Sequence, residues 1–351
     1  MKNKLVVIDG AKNPIKTAEG FFKKGLADYH LDLCGLCGFG CSYCSTNNGY
    51  TLRINRRHLA DLTEQQLGVR LLPSEDPSLM FVYPNVLDAL RTQLTRVSSG
   101  FGAGKTLVVS MFTDAFSPEL VKQGITEEAL RLVLTHTKFR IRILSKSSSV
   151  GTPHWVKFFL QNRDRFVVGV STGTLDDAWA AKVEIGTSSP TARLRALHAL
   201  QDAGVATFGM ACPIFPDVLS NTGLEDLVDQ IRPTVVEDLW AEPFNDRVNW
   251  QNVRAGYPPG SPGYAWLTDV YGHGQRHLWS GYAAEVYSRL HAKSVGEGWS
   301  DKVKYLLYED GIAKPDATKF AGLAGVLLQS KKADDGKTRN LHLRQWDGRK
   351  P

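Results

Sequence analysis

The chain has 351 residues, 42% hydrophobic and 22% charged, with a formal net charge of +6. That composition belongs to a globular protein with a large core, and it excludes collagenous, low-complexity and disordered chains. Residues 1–9 carry no signal-type apolar region and no run of 18 apolar residues occurs, so no membrane span is expected.

The charge is uneven. Residues 331–351 hold seven basic and three acidic side chains, a net +4 of the chain's +6. A basic tail can follow a phosphate backbone, although a solvated terminus is the commoner meaning of such a run.

In chain order, residues 1–27 read as a leader: an apolar patch, then Lys12-Asn13-Pro14, then an amphipathic stretch to Leu26. Residues 29–33 form a short strand that feeds Cys34-Gly-Leu-Cys37-Gly-Phe-Gly-Cys41-Ser-Tyr-Cys44, spaced C-x2-C-x3-C-x2-C. Four of five cysteines fall in eleven residues, which points to thiols kept for metal in a reducing, cytoplasmic setting. Three residues between the pairs are too few for two zinc knuckles around one tetrahedral ion. Closely packed thiolates on a glycine-rich loop suit an iron–sulfur cubane. Gly35, Gly38 and Gly40 supply the positive-φ turns such a wrap requires.

The middle alternates strand and helix periods. Asn85 is placed to cap a helix carrying Leu87, Leu90, Leu94 and Val97. Residues 106–112 read as a buried strand, and Thr126 as the cap of a helix with Leu130, Val133 and Leu134. Residues 139–143 alternate as a second strand that ends at Ser145-Lys146-Ser147. Residues 166–170 form a third, ending at Ser171-Thr172. Pro190 opens a helix with Leu194, Leu197 and Leu200 on one face, and Gly204 stops it. Residues 205–211 form a strand ending at Cys212-Pro213, and residues 235–240 one ending at Glu242.

With the strand before the cysteines, this makes about six βα units and an α/β fold: a partial, open TIM-type barrel with a small C-terminal α/β extension. The expected division is a leader over 1–27, a barrel core over 28–249, and an extension with its basic tail over 250–351. In the extension, 256–263 is a Pro/Gly loop, Trp279, Ala283, Val286 and Leu290 stripe a helix, and 303–308 is strand-like. Gly100-Phe-Gly-Ala-Gly-Lys105-Thr106 imitates a phosphate loop but precedes a strand, so it reads as a turn.

Residues just past a barrel strand point into the pocket. Thr113 and Asp114 follow the 106–112 strand, Lys146 and Ser171 end the next two, and Glu184 and Arg193 flank a helix start. Each also has a bland reading: Asp114 as acceptor for local backbone donors, Lys146 as a solvated lysine, Glu184 and Arg193 as helix-surface charges.

Cys37-x3-Cys41-x2-Cys44, with Tyr43 before the last cysteine, resembles the loop of the radical S-adenosylmethionine superfamily. Residues 15–250 are similar to its photolyase-like branch, spore photoproduct lyase and relatives. The likeness is carried by Phe112-Thr113-Asp114-x3-Pro118-Glu119, Ser145-Lys146-Ser147, Val170-Ser171-Thr172, Glu184-x8-Arg193-Leu194, Cys212-Pro213-Ile214-x-Pro216 and Glu242-x2-Asn245-x-Arg247.

The resemblance implies a [4Fe-4S] cluster on Cys37, Cys41 and Cys44 whose open iron chelates S-adenosylmethionine. Reductive cleavage would then give a 5′-deoxyadenosyl radical that takes hydrogen from a substrate. Tyr43, Thr113, Asp114, Lys146, Ser171, Glu184 and Arg193 would be the cofactor contacts, and a low-potential donor of flavodoxin or ferredoxin type the electron source. Nucleic acid is the substrate class the branch favours, with a small molecule or partner protein close behind.

The sequence departs from the branch at Phe39, Ser45 and Cys34, and no thiol precedes Thr113. Either Cys212, the candidate hydrogen-donor thiol, or Cys34 takes that place, or the lyase's own lesion is not the substrate, and the last is the favoured reading. The competing class is a non-catalytic metal-binding module, with zinc or a closed cluster on all four cysteines.

Overall fold

The computed structural model describes residues 3–18, 25–48, 50–220, 222–246, 248–308, 312–320, 326–330 and 342–345, with backbone alone for 47–48, 50–55, 308, 317–318 and the last two segments. Most of the 331–351 basic tail and Arg247 lie outside the described residues.

Thirteen strands are described: β1 Lys4–Val7, β2 Ile15–Thr17, β3 Tyr29–Leu31, β4 Cys34–Leu36, β5 Leu79–Val82, β6 Thr106–Val109, β7 Arg140–Ser145, β8 Phe166–Ser171, β9 Thr207–Ile214, β10 Leu239–Pro243, β11 Val303–Tyr308, β12 Val326–Ser330 and β13 His342–Gln345. Ten of them form one sheet in the order β13-β12-β11-β10-β9-β8-β7-β6-β3-β2. From β3 to β12 the eight strands are parallel; only the edge strands β2 and β13 pair antiparallel. The two edges do not pair with each other, so the barrel is open. A small sheet, β1-β5-β4, lies apart from it.

Helices follow β6, β7, β8 and β9 as the βα alternation requires. All six residues of β8, Phe-Val-Val-Gly-Val-Ser, are buried. Val168 and Val170 pack outward with Ile141, Ile143, Leu197 and Leu200 of the helix Pro190–Asp202. Val167 points inward to Phe208, Met210, Trp240 and Leu306. Arg142 shares that interior, its guanidinium 5.2 Å from the Phe208 ring centre and 4.7 Å from that of Trp240, and donates to the Leu26 carbonyl. Burial holds its pKa down at about 10.

The sequence reading departs from the structure in several places. The sheet holds eight parallel strands instead of about six, because β11 and β12 continue it beyond residue 250. The 106–112 strand stops at Val109, because the Asp32 carboxylate draws the backbone N–H groups of Met111, Phe112 and Thr113 out of the sheet. β9 runs on through Cys212 and Pro213 to Ile214, and β10 begins at Leu239, four residues later than expected.

Asn85 occupies the N-cap of the helix Val86–Leu94 but spends its side-chain amide on the Ala11 carbonyl. Thr126 lies inside the helix Ile125–His136 and donates to the Ala115 carbonyl. The helix Pro190–Asp202, the turn over 99–104 and the stripe Trp279, Ala283, Val286, Leu290 on Arg276–Gly296 match expectation.

The helices Gly223–Ile231 and Arg276–Gly296 are clasped by Arg289, whose Nε donates to Glu225 Oε1 at 2.8 Å and Nη1 to the Leu219 carbonyl at 2.6 Å. Those bonds outweigh partial burial and lower the Glu225 pKa from 4.5. A depressed carboxylate stabilises the fold above its ordinary pKa and loses that contribution as pH falls through its folded value. Arg289→Met is expected to cost about 1 kcal/mol at pH 7. The gap to wild type should close below pH 4.5, as followed by urea melts across the acid range.

Candidate functional site

The cysteine loop leaves β4 and ends in a short helix, Ser45–Asn48. Gly38 and Gly40 sit at φ of +70° and +59°, and a Cβ on Gly40 would meet the Pro77 Cβ at 2.3 Å, so this tight path admits only glycine. Gly35 lies in β4 and has no positive φ; there the absent side chain makes room for Ile8. The loop is tied down by Gly186 N–H to the Phe39 carbonyl at 2.8 Å, Ser42 N–H to the Val183 carbonyl at 2.8 Å, and a backbone bridge between Cys41 and Glu184.

Cys37, Cys41 and Cys44 line one cavity of about 300 Å3 at the C-terminal ends of the parallel strands. Its wall continues through Tyr43, Ser110, Thr113, Asp114, Lys146 and Ser171, and on through Cys212, Glu242 and Asn245. Leu144, Met210 and Leu306 make an apolar floor. No cysteine is in a disulfide. Burial, then the neighbouring Cys34 and Cys44, push the Cys37 thiol up, and burial and the Glu184 carboxylate do the same to Cys41.

Cys34 is placed differently. It is buried in β4 and lines a second cavity of about 590 Å3 with Asp32, His30 and Tyr83. The two cavities share a wall made of Thr46, Phe112 and Thr113.

The sequence-predicted cofactor residues fall into two layers. Thr113, Asp114, Lys146, Ser171 and Tyr43 line the first cavity; Glu184 and Arg193 are buried behind it. Glu184 accepts from the Tyr43 hydroxyl and from Arg193 Nη2, and Lys146 Nζ lies 4.0 Å from its Oε1. Burial alone would raise the Glu184 pKa, but Arg193 first and Lys146 second outweigh it and hold the carboxylate below its usual range. Arg193 also donates to the Ser171 carbonyl at 2.6 Å, and Lys146 Nζ to Ser171 Oγ at 2.7 Å. Ser171 Oγ donates in turn to the Cys212 carbonyl at 2.7 Å.

Asp114 is committed locally: it accepts from Lys146 N–H, Phe116 N–H and Ser145 Oγ. Burial nonetheless raises its pKa. Thr113 Oγ1 donates to Asp32 Oδ1 at 2.8 Å. Cys212 Sγ approaches Glu242 Oε2 at 3.6 Å.

The sequence reading missed Asp32, whose Oδ1 gathers three backbone N–H groups and a hydroxyl, and Ser110, whose buried hydroxyl has no partner among the described residues. An aspartate one residue past a strand that leads into a metal loop was the available signal.

The donor set fits an iron–sulfur cluster. Three thiols on one glycine-wound loop face a cavity that continues past them to polar groups, Ser110 among them, so room remains beside the metal for a polar ligand. Among the described residues, no three His, Cys, Asp or Glu side chains lie close enough together to hold a single ion. A cubane spreads its thiolates over separate irons.

No family model matches the chain, and no curated protein is matched by it. In its course through space it is similar to solved structures of spore photoproduct lyase and of anSMEcpe. Spore photoproduct lyase with bound AdoMet and dinucleoside spore photoproduct shares 16% identity at a TM-score of 0.44, over 73% of this chain and 66% of the lyase. The lyase complexed with the dinucleoside alone gives the same figures. A structure of anSMEcpe with bound AdoMet shares 11% identity at 0.44, over 86% and 61%. The chain thus spans just under two thirds of the lyase structures it resembles, and its chemistry has to be argued from its own side chains.

Proposed function

We propose that this chain is a radical S-adenosylmethionine enzyme with Cys37, Cys41 and Cys44 as cluster ligands. The observation that carries the reading is the division of the cysteines. Three line one cavity together with Lys146, Ser171 and Tyr43, while the fourth lines another. Cys34 lies near enough to Cys37 to push its thiol up, and it is set apart from the three by the cavity it lines. When bound, a cluster with one open iron supplies the low-potential electron that splits the sulfonium of S-adenosylmethionine.

The chain's own residues then do the positioning. Lys146, held by Ser171 and placed 5.6 Å from the Tyr43 ring centre, presents an ammonium to the carboxylate or ribose oxygens of the cofactor. Glu184 and Arg193 act behind that wall, orienting Tyr43 and bracing the Ser171 carbonyl. Asp114 fixes the backbone of Lys146 and so the root of its side chain. Leu144, Met210 and Leu306 would keep water from the floor of the cavity. Cys212 offers a thiol hydrogen to a product radical, with Glu242 beside it.

Nucleic acid is the proposed substrate class, resting on the similarity of the site motifs to the photolyase-like branch. The electron donor is proposed to be of flavodoxin or ferredoxin type, and the setting cytoplasmic. No described helix is long and apolar enough to cross a membrane.

The test is direct. Protein reconstituted anaerobically with iron and sulfide, then given dithionite and S-adenosylmethionine, is expected to release 5′-deoxyadenosine and methionine in equal amounts. A fully loaded sample that releases neither would overturn the reading.

A further inference from the structure

Five consecutive residues, Ser110 to Asp114, line the cysteine cavity, and they belong to no strand or helix. A stretch this irregular keeps its shape only if groups outside it take its backbone donors. Two carboxylates anchor it. Asp114, at its far end, accepts from Lys146 N–H and Ser145 Oγ at the end of β7. Asp32, one residue past β3, accepts on Oδ1 from the N–H groups of Met111, Phe112 and Thr113 at 3.1, 2.9 and 3.0 Å. The neighbours of β6 in the sheet are β3 and β7, so the segment is moored to both.

Asp32 also fixes the sense of the Thr113 hydroxyl, which lies 2.8 Å from the same Oδ1. That oxygen already takes three N–H groups, so it is the acceptor and the hydroxyl the donor. A hydroxyl has one hydrogen. With that hydrogen on Asp32, Thr113 Oγ1 can only accept from whatever occupies the cavity it lines.

We infer that Asp32 is a positioning residue for this wall. From the side of the second cavity it holds Ser110 to Asp114 in place, and it sets Thr113 as a hydrogen-bond acceptor. The ligand group that meets Thr113 therefore carries an N–H or O–H, an ammonium or a ribose hydroxyl, and not a carboxylate. The inference rests on the radical-enzyme reading only for the name of the ligand; the hold of Asp32 on the segment does not depend on a cluster.

Amide hydrogen exchange on the full chain without iron tests the hold. Asp32→Ala is expected to speed exchange at Met111, Phe112 and Thr113 about tenfold, one hydrogen bond's worth at each, and to leave the sheet unchanged. Asp32→Asn keeps an oxygen in the place of Oδ1, and its amide can donate to His30 Nδ1 in the ring's other tautomer. It should restore most of the protection, which a general loosening of the fold would not allow. Wild-type exchange at those three amides in Asp32→Ala overturns the inference.

Calorimetry on iron-loaded protein tests the consequence. Thr113→Val removes the acceptor and keeps the three N–H bonds to Asp32, so it carries the test even if Asp32→Ala does not fold. It should bind S-adenosylmethionine about tenfold more weakly. Asp32→Ala should lose at least as much, and adding Thr113→Val to it should cost nothing further, since one residue acts through the other. The analogue without the α-amino group tells the donors apart. Unchanged binding of the analogue by Thr113→Val assigns the ammonium, and an equal loss assigns the hydroxyl. A Thr113→Val chain that binds the cofactor as wild type does, or losses that add in full, overturns the role given to Thr113. A chain that takes up no iron, while Asp32→Ala still frees the three amides, counts against the radical-enzyme reading and not against the positioning.

Discussion

Alanine at Cys37, Cys41 or Cys44, one at a time, is expected to strip the reconstituted protein of its iron and reduce 5′-deoxyadenosine to background. Each thiolate holds one iron of a four-iron group, so losing one leaves an iron with no protein ligand on a loop wound for three. Cys34→Ala should behave otherwise. Its sulfur is buried in β4 against the other cavity, so the variant should keep about four irons per chain and lose only about 1 kcal/mol of packing. Iron and sulfide analysis after anaerobic reconstitution, beside the product assay, separates the cases. If Cys34→Ala loses iron as completely as Cys41→Ala, the site is closed on four thiolates and the enzyme reading falls.

Where the chemistry would sit was legible in the sequence, because four cysteines in eleven residues leave few interpretations. Strand identity was legible too: the continuous apolar run of β8 demands burial that only a covered sheet supplies, and the alternation in β7 has the period of a strand. The ends were not. β6 stops at Val109 because Asp32, some eighty residues earlier, competes for its backbone donors, and no local pattern encodes that contact.

The place of Arg142 was not legible either: it alternates with Ile141 and Ile143 in sequence, and it lies inside the barrel between Phe208 and Trp240. Its face becomes interior only when the sheet curls. Glu184 and Arg193 were legible as separate charges around a helix start, but neither as an ion pair nor as a layer. Spacing put them near the site, while only the packing puts them behind Tyr43.

Arg193→Met is expected to be the most destabilising single change in this wall. The guanidinium is fully buried, and Glu184 is only 4% exposed. Two charges taken out of water survive on each other, so deleting the cation leaves a carboxylate in a dry site with Lys146 4.0 Å away as its remaining countercharge. Losing one partner of a buried pair costs about 3–5 kcal/mol, on the order of a 10 °C fall in melting temperature for a chain of this size.

The companion Glu184→Gln/Arg193→Met removes both charges and should recover much of that loss, because no buried ion is then left unpaired. Thermal melts of wild type, both single variants and the double close the cycle. A single Arg193→Met costing under about 1 kcal/mol would mean that the pair is not what holds the wall. In that case Tyr43 and the backbone bridge between Cys41 and Glu184 would have to be fixed by the loop's glycines alone. If the pair does hold it, cofactor affinity should fall with stability in the single variant. The double should regain stability without regaining affinity, since the Tyr43 hydroxyl would face an amide in place of a carboxylate.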